Sequence, residues 1–247
     1  MDLSERGATS TRHPWERVRA DFFRSLIADH VDLTRVDHLV DIGAGDGWFA
    51  HELLGALPST ARVTCWDIHY TADDLSAVLP PRVERTTSRP TGTAGLVTLL
   101  DVLEHVADDR RFLAEEVVPL VAPDGTLVVS VPAHPHLFSA HDTALHHERR
   151  YRRGELLERL DAHFEVVETG PLFTSLLAPR AAQVALERLG RRTESRGVGA
   201  WEHGDRFTRA VTGALRLDAR AGRAAARRHL ALPGLSVWAV CRPRGAA

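Results

Sequence analysis

Short apolar runs of strand length recur along this chain, and a helical pattern separates most of them from the next. His38–Ile42 and Arg62–Trp66 read as buried strands, with helical spacing over 48–57 and 71–79 after them. Val83–Thr86 is a weaker strand and 96–100 a strong one, and a helix over 109–120 leads to a strand over 126–131. A further helix, 153–162, precedes a strand over 164–168, and 235–241 reads as the last strand. Strands that are apolar from end to end need cover on both faces, and helices between them make parallel pairing the natural one. A doubly wound α/β sheet follows, with its ligand site beyond the carboxyl ends of the strands, near the point where strand order reverses.

Two segments fall outside this alternation. Residues 14–30 form a helical pattern entered at His13-Pro14, with Val18, Phe22, Phe23, Leu26 and Ile27 on one face. About 65 residues separate Glu168 from Leu235 without a convincing strand, too many for a simple connection. That stretch is expected to be a helical insertion serving as a lid, a dimer surface or both. The expected organisation is a helical cap over 1–35, a ligand-binding core over 36–170, the insertion over 171–233, and the last strand with its tail over 234–247.

Between the first strand and the helix after it lies Asp41-x-Gly43-x-Gly45-x-Gly47. Glycines there let the backbone turn tightly and approach a ligand, and the helix N-terminus offers free N–H groups. A dinucleotide loop would place Gly where this chain has Trp48, and an apolar residue where it has Asp41. Asp41 and Asp46 repel a pyrophosphate and attract an ammonium group, so the loop suits a cofactor with an amino-acid tail. A nicotinamide-dependent oxidoreductase is therefore the weaker reading.

On these residues the sequence resembles the class I S-adenosylmethionine-dependent methyltransferases, whose first motif is acid-x-Gly-x-Gly-x-Gly. The resemblance implies S-adenosyl-L-methionine as cofactor, with Asp41, Gly43, Ala44 and Gly45 beside its methionine portion. It implies Asp67 on the ribose hydroxyls and Ile68 against the adenine. Leu100-Asp101-Val102-Leu103-Glu104-His105-Val106 looks like the Leu-Glu-His segment of many small-molecule members, which places Leu100, Asp101 and His105 along the cofactor cleft. Pro123-Asp124-Gly125-Thr126 is similar to the hairpin signal that precedes the family's fifth strand. The implied fold is a Rossmann-like seven-stranded sheet, mostly parallel with the last strand antiparallel, plus a helical insertion before that strand. As residues alone, Asp67 also suits a strand-end turn, Asp101 a helix cap and Glu104 a structural or solvated role. Residues 83–90 lack the family's acid beside the adenine, leaving Thr86, Thr87 or Ser88 as a substitute donor.

Five of the chain's 14 histidines, His134, His136, His141, His146 and His147, crowd the stretch after the fifth strand. Solvated loop, metal site and substrate or proton-handling segment are the three readings. No His-x-x-x-His pair with a carboxylate lies on a predicted helix, and methyl transfer requires no metal, so no metal ligands are assigned. His147 and His141 are the candidates for base or substrate orientation. His141-Asp142-x-x-Leu145-x-His147-x-Arg149-Arg150-Tyr151 is similar to a pattern in a bacterial small-molecule subgroup, as are Trp15 and Arg19 on the first helix. The resemblance implies Trp15, Arg19, His146, Arg150 and Tyr151 around the acceptor, with His146 standing where a small residue, often Gly, is usual. It also implies a small-molecule acceptor, in natural-product or envelope-glycan metabolism, methylated on O, N or C. A non-catalytic S-adenosylmethionine-binding partner protein is the other alternative.

Composition narrows the rest. A net charge of −2 gives no reason to expect a nucleic-acid partner. All 31 basic residues are arginine, which removes any lysine nucleophile or base. The arginines of 206–228 fit the solvated face of an amphipathic helix or, alternatively, a surface for an anionic partner. Two distant cysteines in apolar runs argue against a disulfide framework. No membrane span or leader is expected, so the cytoplasm is the expected location, with a homodimer open through the insertion.

Overall fold

A computed structural model describes residues 12–190, 201 and 203–245. Parts of the expected cap, insertion and tail (1–11, 191–200, 202 and 246–247) lie outside the described residues. Seven strands form one sheet in the order β3-β2-β1-β4-β5-β7-β6. They are β1 His38–Ile42, β2 Arg62–Trp66, β3 Val83–Thr86, β4 Ala94–Leu100, β5 Val121–Pro132, β6 Phe164–Leu172 and β7 Ser236–Pro243. Every pairing from β3 through β5 is parallel, and β7 alone runs against its neighbours, β5 and β6. The sheet is the expected one. Strand order reverses between β1 and β4, which puts the switch point at their carboxyl ends.

Alternation along the strands divides the core into two layers. Leu39, Leu96, Val128, Trp238 and Val240 face helices α1 (Pro14–His30), α2 (Trp48–Leu53) and α8 (Asp205–Arg227). Val40, Val97, Val129 and Ala239 face the helical stretch that starts at α4 (Asp109–Phe112) and α6 (Arg153–Asp161). From α1 the apolar stripe Phe22, Phe23, Leu26 and Ile27 is buried against the first layer. Each such side chain contributes roughly 1.5–3 kcal/mol on leaving water. Pro14 occupies the first turn of α1, where its missing N–H costs nothing, and His13 Nδ1 accepts from Trp15 N at 3.1 Å.

Several boundaries differ from expectation. Helix α3 (Ala72–Ser76) stops short of residue 79, because Pro80 and Pro81 have no amide protons to continue its hydrogen bonds. The Pro123-Asp124-Gly125 signal makes no hairpin. Strand β5 already starts at Val121 and its register on β4 jumps between Ala94 and Leu96, so these residues bulge from a continuing strand. Strand β6 extends to Leu172 through a bulge between Val166 and Glu168. The stretch before β7 is helical, with α7 (Leu177–Arg188) and α8, and α8 packs along α1 and β6. No helix among the described residues is long and apolar enough to cross a membrane.

Candidate active site

The first wall of the site is the turn after β1. Gly43, Gly45 and Gly47 take φ of 66°, 55° and 76°, the left-handed region that side chains resist. A Cβ on Gly43 would sit 2.4 Å from Val102 Cγ2, so the turn after β1 and the turn after β4 touch only because this residue is glycine. Gly43 N donates to Trp66 O at 2.7 Å and Gly45 N to Asp67 Oδ2 at 2.9 Å. His69 N donates to Asp67 Oδ1 at 2.9 Å. Asp67 thus buttresses the glycine turn while bordering the cleft. Ile68 beside it is 70% exposed on the rim.

Asp41 lies behind this wall. It is buried, accepts from Thr98 Oγ1 at 2.5 Å, and burial pushes its carboxyl up to about 6. Ala44 packs into the core, and Gly45 serves through its N–H, so these three residues stand outside the cleft lining. Thr86 and Ser88 hydrogen-bond each other, Thr87 O accepts from Trp66 Nε1 at 3.3 Å, and none of the three lines the cleft.

The second wall is the end of β4. Asp101 has φ 58° and caps no helix; Ser130 Oγ donates to its Oδ1 at 2.8 Å and Arg19 reaches its Oδ2 at 2.7 Å. Leu100, Asp101, Glu104 and His105 all border the cleft. Glu104 is fully buried, and neither carboxylate oxygen finds a hydrogen-bond partner beyond its own residue. Burial, reinforced by Asp101, pushes its carboxyl well above the ordinary carboxylate range.

The histidine-rich stretch is built on a residue the sequence reading did not select. Ser139 and Asp142 form a capping box that starts the short helix α5 (Ala140–Ala144). The fully buried Asp142 then takes three further partners: Arg150 Nε at 2.6 Å, Arg180 at 2.7 Å and His147 Nδ1 at 3.0 Å. Burial opposes its charge, but the His147 hydrogen bond and the two guanidiniums outweigh it and hold the carboxyl well below the usual range. Arg180 comes from α7, so the insertion anchors the loop. Glu148 N donates to Glu104 O at 2.7 Å, which draws His147 against the β4 turn. The rings of His105 and His147 stand edge to face, 4.7 Å between centroids. His146 has φ 58°, which explains why glycine suits this position.

One cavity of about 1060 Å³ joins these parts. Trp15 and Arg19 line it from α1, and His141, His146, His147 and Arg150 line it from the histidine-rich stretch. Burial, with Arg180 nearby, lowers the pKa of His141 below the ordinary 6.5, so it is neutral at neutral pH. Tyr151 corrects the expectation of an acceptor contact. It is 1% exposed, and its hydroxyl donates to Asp109 Oδ2 at 2.8 Å while lying 3.1 Å from Leu103 O, so it is a core residue tying β5 to the β4 turn. His134 and His136 pair with each other away from the cleft. Arg12, Glu104, Arg180 and Gln183 line the cleft without having been selected from the sequence. Only Asp142 carried a readable local signal, the Ser-x-x-Asp cap.

The methyltransferase domain model matches residues 15–178. No curated protein matches the sequence. Among solved structures, geranyl diphosphate C-methyltransferase from Streptomyces coelicolor A3(2), in complex with Mg2+, geranyl diphosphate and S-adenosyl-L-homocysteine, superposes with TM-score 0.58 at 15% identity, covering 93% of this chain and 81% of that one. The cyclase SpnF gives TM-score 0.58 at 16% identity over 98% and 86% of the two chains. An S-adenosylmethionine-dependent methyltransferase from Mesorhizobium loti gives 0.56 at 15% identity over 91% and 98%. At such identities the superpositions establish the fold, while the match over 15–178 spans the glycine turn, the β4 segment and the histidine-rich stretch. The chain belongs to the methyltransferase-domain family and is an S-adenosylmethionine-dependent methyltransferase of class I architecture.

Proposed function

We propose that the protein transfers the methyl group of S-adenosylmethionine to a nucleophile on a small-molecule acceptor held against the histidine-rich stretch. The observation that carries this reading is the single cavity lined at one end by Gly43, Asp67 and Ile68 and at the other by His141, His147 and Arg150. The donor end fits the cofactor: positive-φ glycines leave room for a backbone-hugging ligand, and Asp67 keeps acceptor capacity for ribose hydroxyls. S-adenosylmethionine supplies, when bound, an already activated methyl group on a sulfonium.

This chain's residues are left with positioning and proton handling. Trp15 offers an apolar wall, and Arg19, held by Asp101, lines the cavity beside it. His141, neutral at neutral pH, takes the acceptor's proton. His147, its Nδ1 committed to Asp142, orients the acceptor. A co-crystal structure with S-adenosylhomocysteine tests the reading. The expected result is adenosine beside Asp67 and Ile68, with the sulfur opening toward His141 and His147. A ligand lodged elsewhere, or lying with its adenine among the histidines, would overturn it.

A further inference from the structure

Among the described residues, Glu104 has both carboxylate oxygens buried without a partner from another residue. A carboxylate taken wholly out of water with no donor beyond its own residue is destabilising, and proteins offset such burial with a counter-charge. Arg19 and Arg150 act on Glu104 from a distance but pair with Asp101 and Asp142, and no arginine forms an ion pair with Glu104 among the described residues. The side chains gathered at it are His105 and His147 instead, and one ligand atom from each of the three lies within 4.8 Å of the others.

We propose that Glu104, His105 and His147 bind a divalent transition-metal ion at the acceptor end of the cleft. Two imidazoles and a carboxylate are the ligand types that Zn2+, Co2+, Mn2+ and Fe2+ share. His147 is prepared for the role in a way that a solvated histidine is not. Asp142 Oδ1 lies 3.0 Å from its Nδ1, which leaves Nε2 as the nitrogen with a lone pair to give. A carboxylate behind a ligating imidazole fixes its tautomer and raises its basicity. Asp142 is itself held by Arg150 and Arg180, so the support extends to α7. The Glu148 N to Glu104 O bond fixes the two ligand-bearing segments to each other.

Three protein ligands at the edge of a cavity leave positions open for a further oxygen ligand, the arrangement of catalytic rather than structural sites. This deepens the proposed function and rests on it: the acceptor is one that presents a hydroxyl, or two adjacent hydroxyls, to the ion. The hydroxyl gives its proton to His141, its oxygen takes the methyl group from the sulfonium, and S-adenosylhomocysteine leaves uncharged. Metal coordination lowers the energy of the alkoxide or phenolate oxygen and consumes nothing.

The test uses untagged full-length protein stripped with a chelator and titrated with Co2+, whose visible absorption reports its ligands. One Co2+ per chain is expected, with Glu104→Gln and His147→Ala each weakening it by at least ~10-fold. His105→Ala replaces Glu104→Gln should the latter fail to fold. Calorimetry with S-adenosylhomocysteine on the same samples reads the donor end separately. Retained cofactor binding beside lost Co2+ binding in the variants supports the site. Absence of stoichiometric Co2+ binding, or Co2+ binding unchanged in both histidine variants, overturns it and leaves the methyltransferase reading intact. Failure of cofactor binding in the metal-free native protein is the failure of that broader reading.

Discussion

Asp41 lies in the motif on which the cofactor assignment turns, yet the fold treats it as a core residue. Its carboxyl rises from an ordinary 3.8 to about 6 because burial disfavours the charge, with Thr98 as its one hydrogen-bond donor. Asp41 therefore favours the folded state while it is protonated. That contribution is complete below the unfolded value of 3.8 and is lost as pH rises through about 6, a difference of ~3 kcal/mol by pH 8. Asparagine keeps an oxygen for Thr98 and carries no charge. Urea unfolding is expected to show Asp41→Asn more stable than the native chain at pH 8, by about 1–3 kcal/mol, and no more stable near pH 4. A variant less stable at pH 8 contradicts this account of the residue. At this scale the sequence was only partly readable. Glycines with positive φ, an acid ending β2 and polar groups after β5 were visible as types in order. Whether each faces the cleft or the core was not, because that depends on strand register: Asp41 sits opposite Thr98, and Tyr151 turns inward to Asp109.

Elements were more legible than residues, because hydrophobic period reports burial directly. The α1 stripe and the seven strands follow from spacing alone. What spacing missed were the bulges, which are pairing events between distant segments and leave little local trace. The extension of β6 past Glu168 is one, and it matters because α8 docks there. Gly170 makes that docking possible: a Cβ would lie 2.6 Å from Ala226 Cβ and 2.7 Å from Trp238 Cζ2. Around it Glu168 meets His30 at 2.6 Å and Arg223 at 3.5 Å, joining α1, β6 and α8. Gly170→Ala is expected to cost about 1–3 kcal/mol by overpacking this junction, measured by thermal or urea unfolding. An unchanged midpoint would show that α8 shifts freely and that the junction is loose.

For the whole molecule, two helical layers on a single sheet leave one large opening, at the carboxyl ends of β1, β2 and β4. Part of that opening was legible in the sequence: Gly43, Asp67, Leu100 and Asp101 border it as turn and strand-end residues, whereas Asp41, Ala44 and Gly45 of the same motif stand outside its lining. The histidine-rich end was legible only as residue types, His141, His146, His147 and Arg150, without what holds them together. Its floor, Glu104 with His105 and His147, joins segments about 40 residues apart through one backbone hydrogen bond, and its anchor, Arg180, comes from α7 in the insertion. The cofactor's place beside Asp67 is the central proposal. Calorimetric titration of the metal-free protein with S-adenosylhomocysteine tests it most directly. One ligand is expected to bind per chain, with Asp67→Ala weakening it by at least ~10-fold because the ribose acceptor and the brace of the glycine turn are lost together. A folded native protein that gives no binding heat at any temperature tried, or that binds equally well after Asp67→Ala, would contradict the assignment of the cleft.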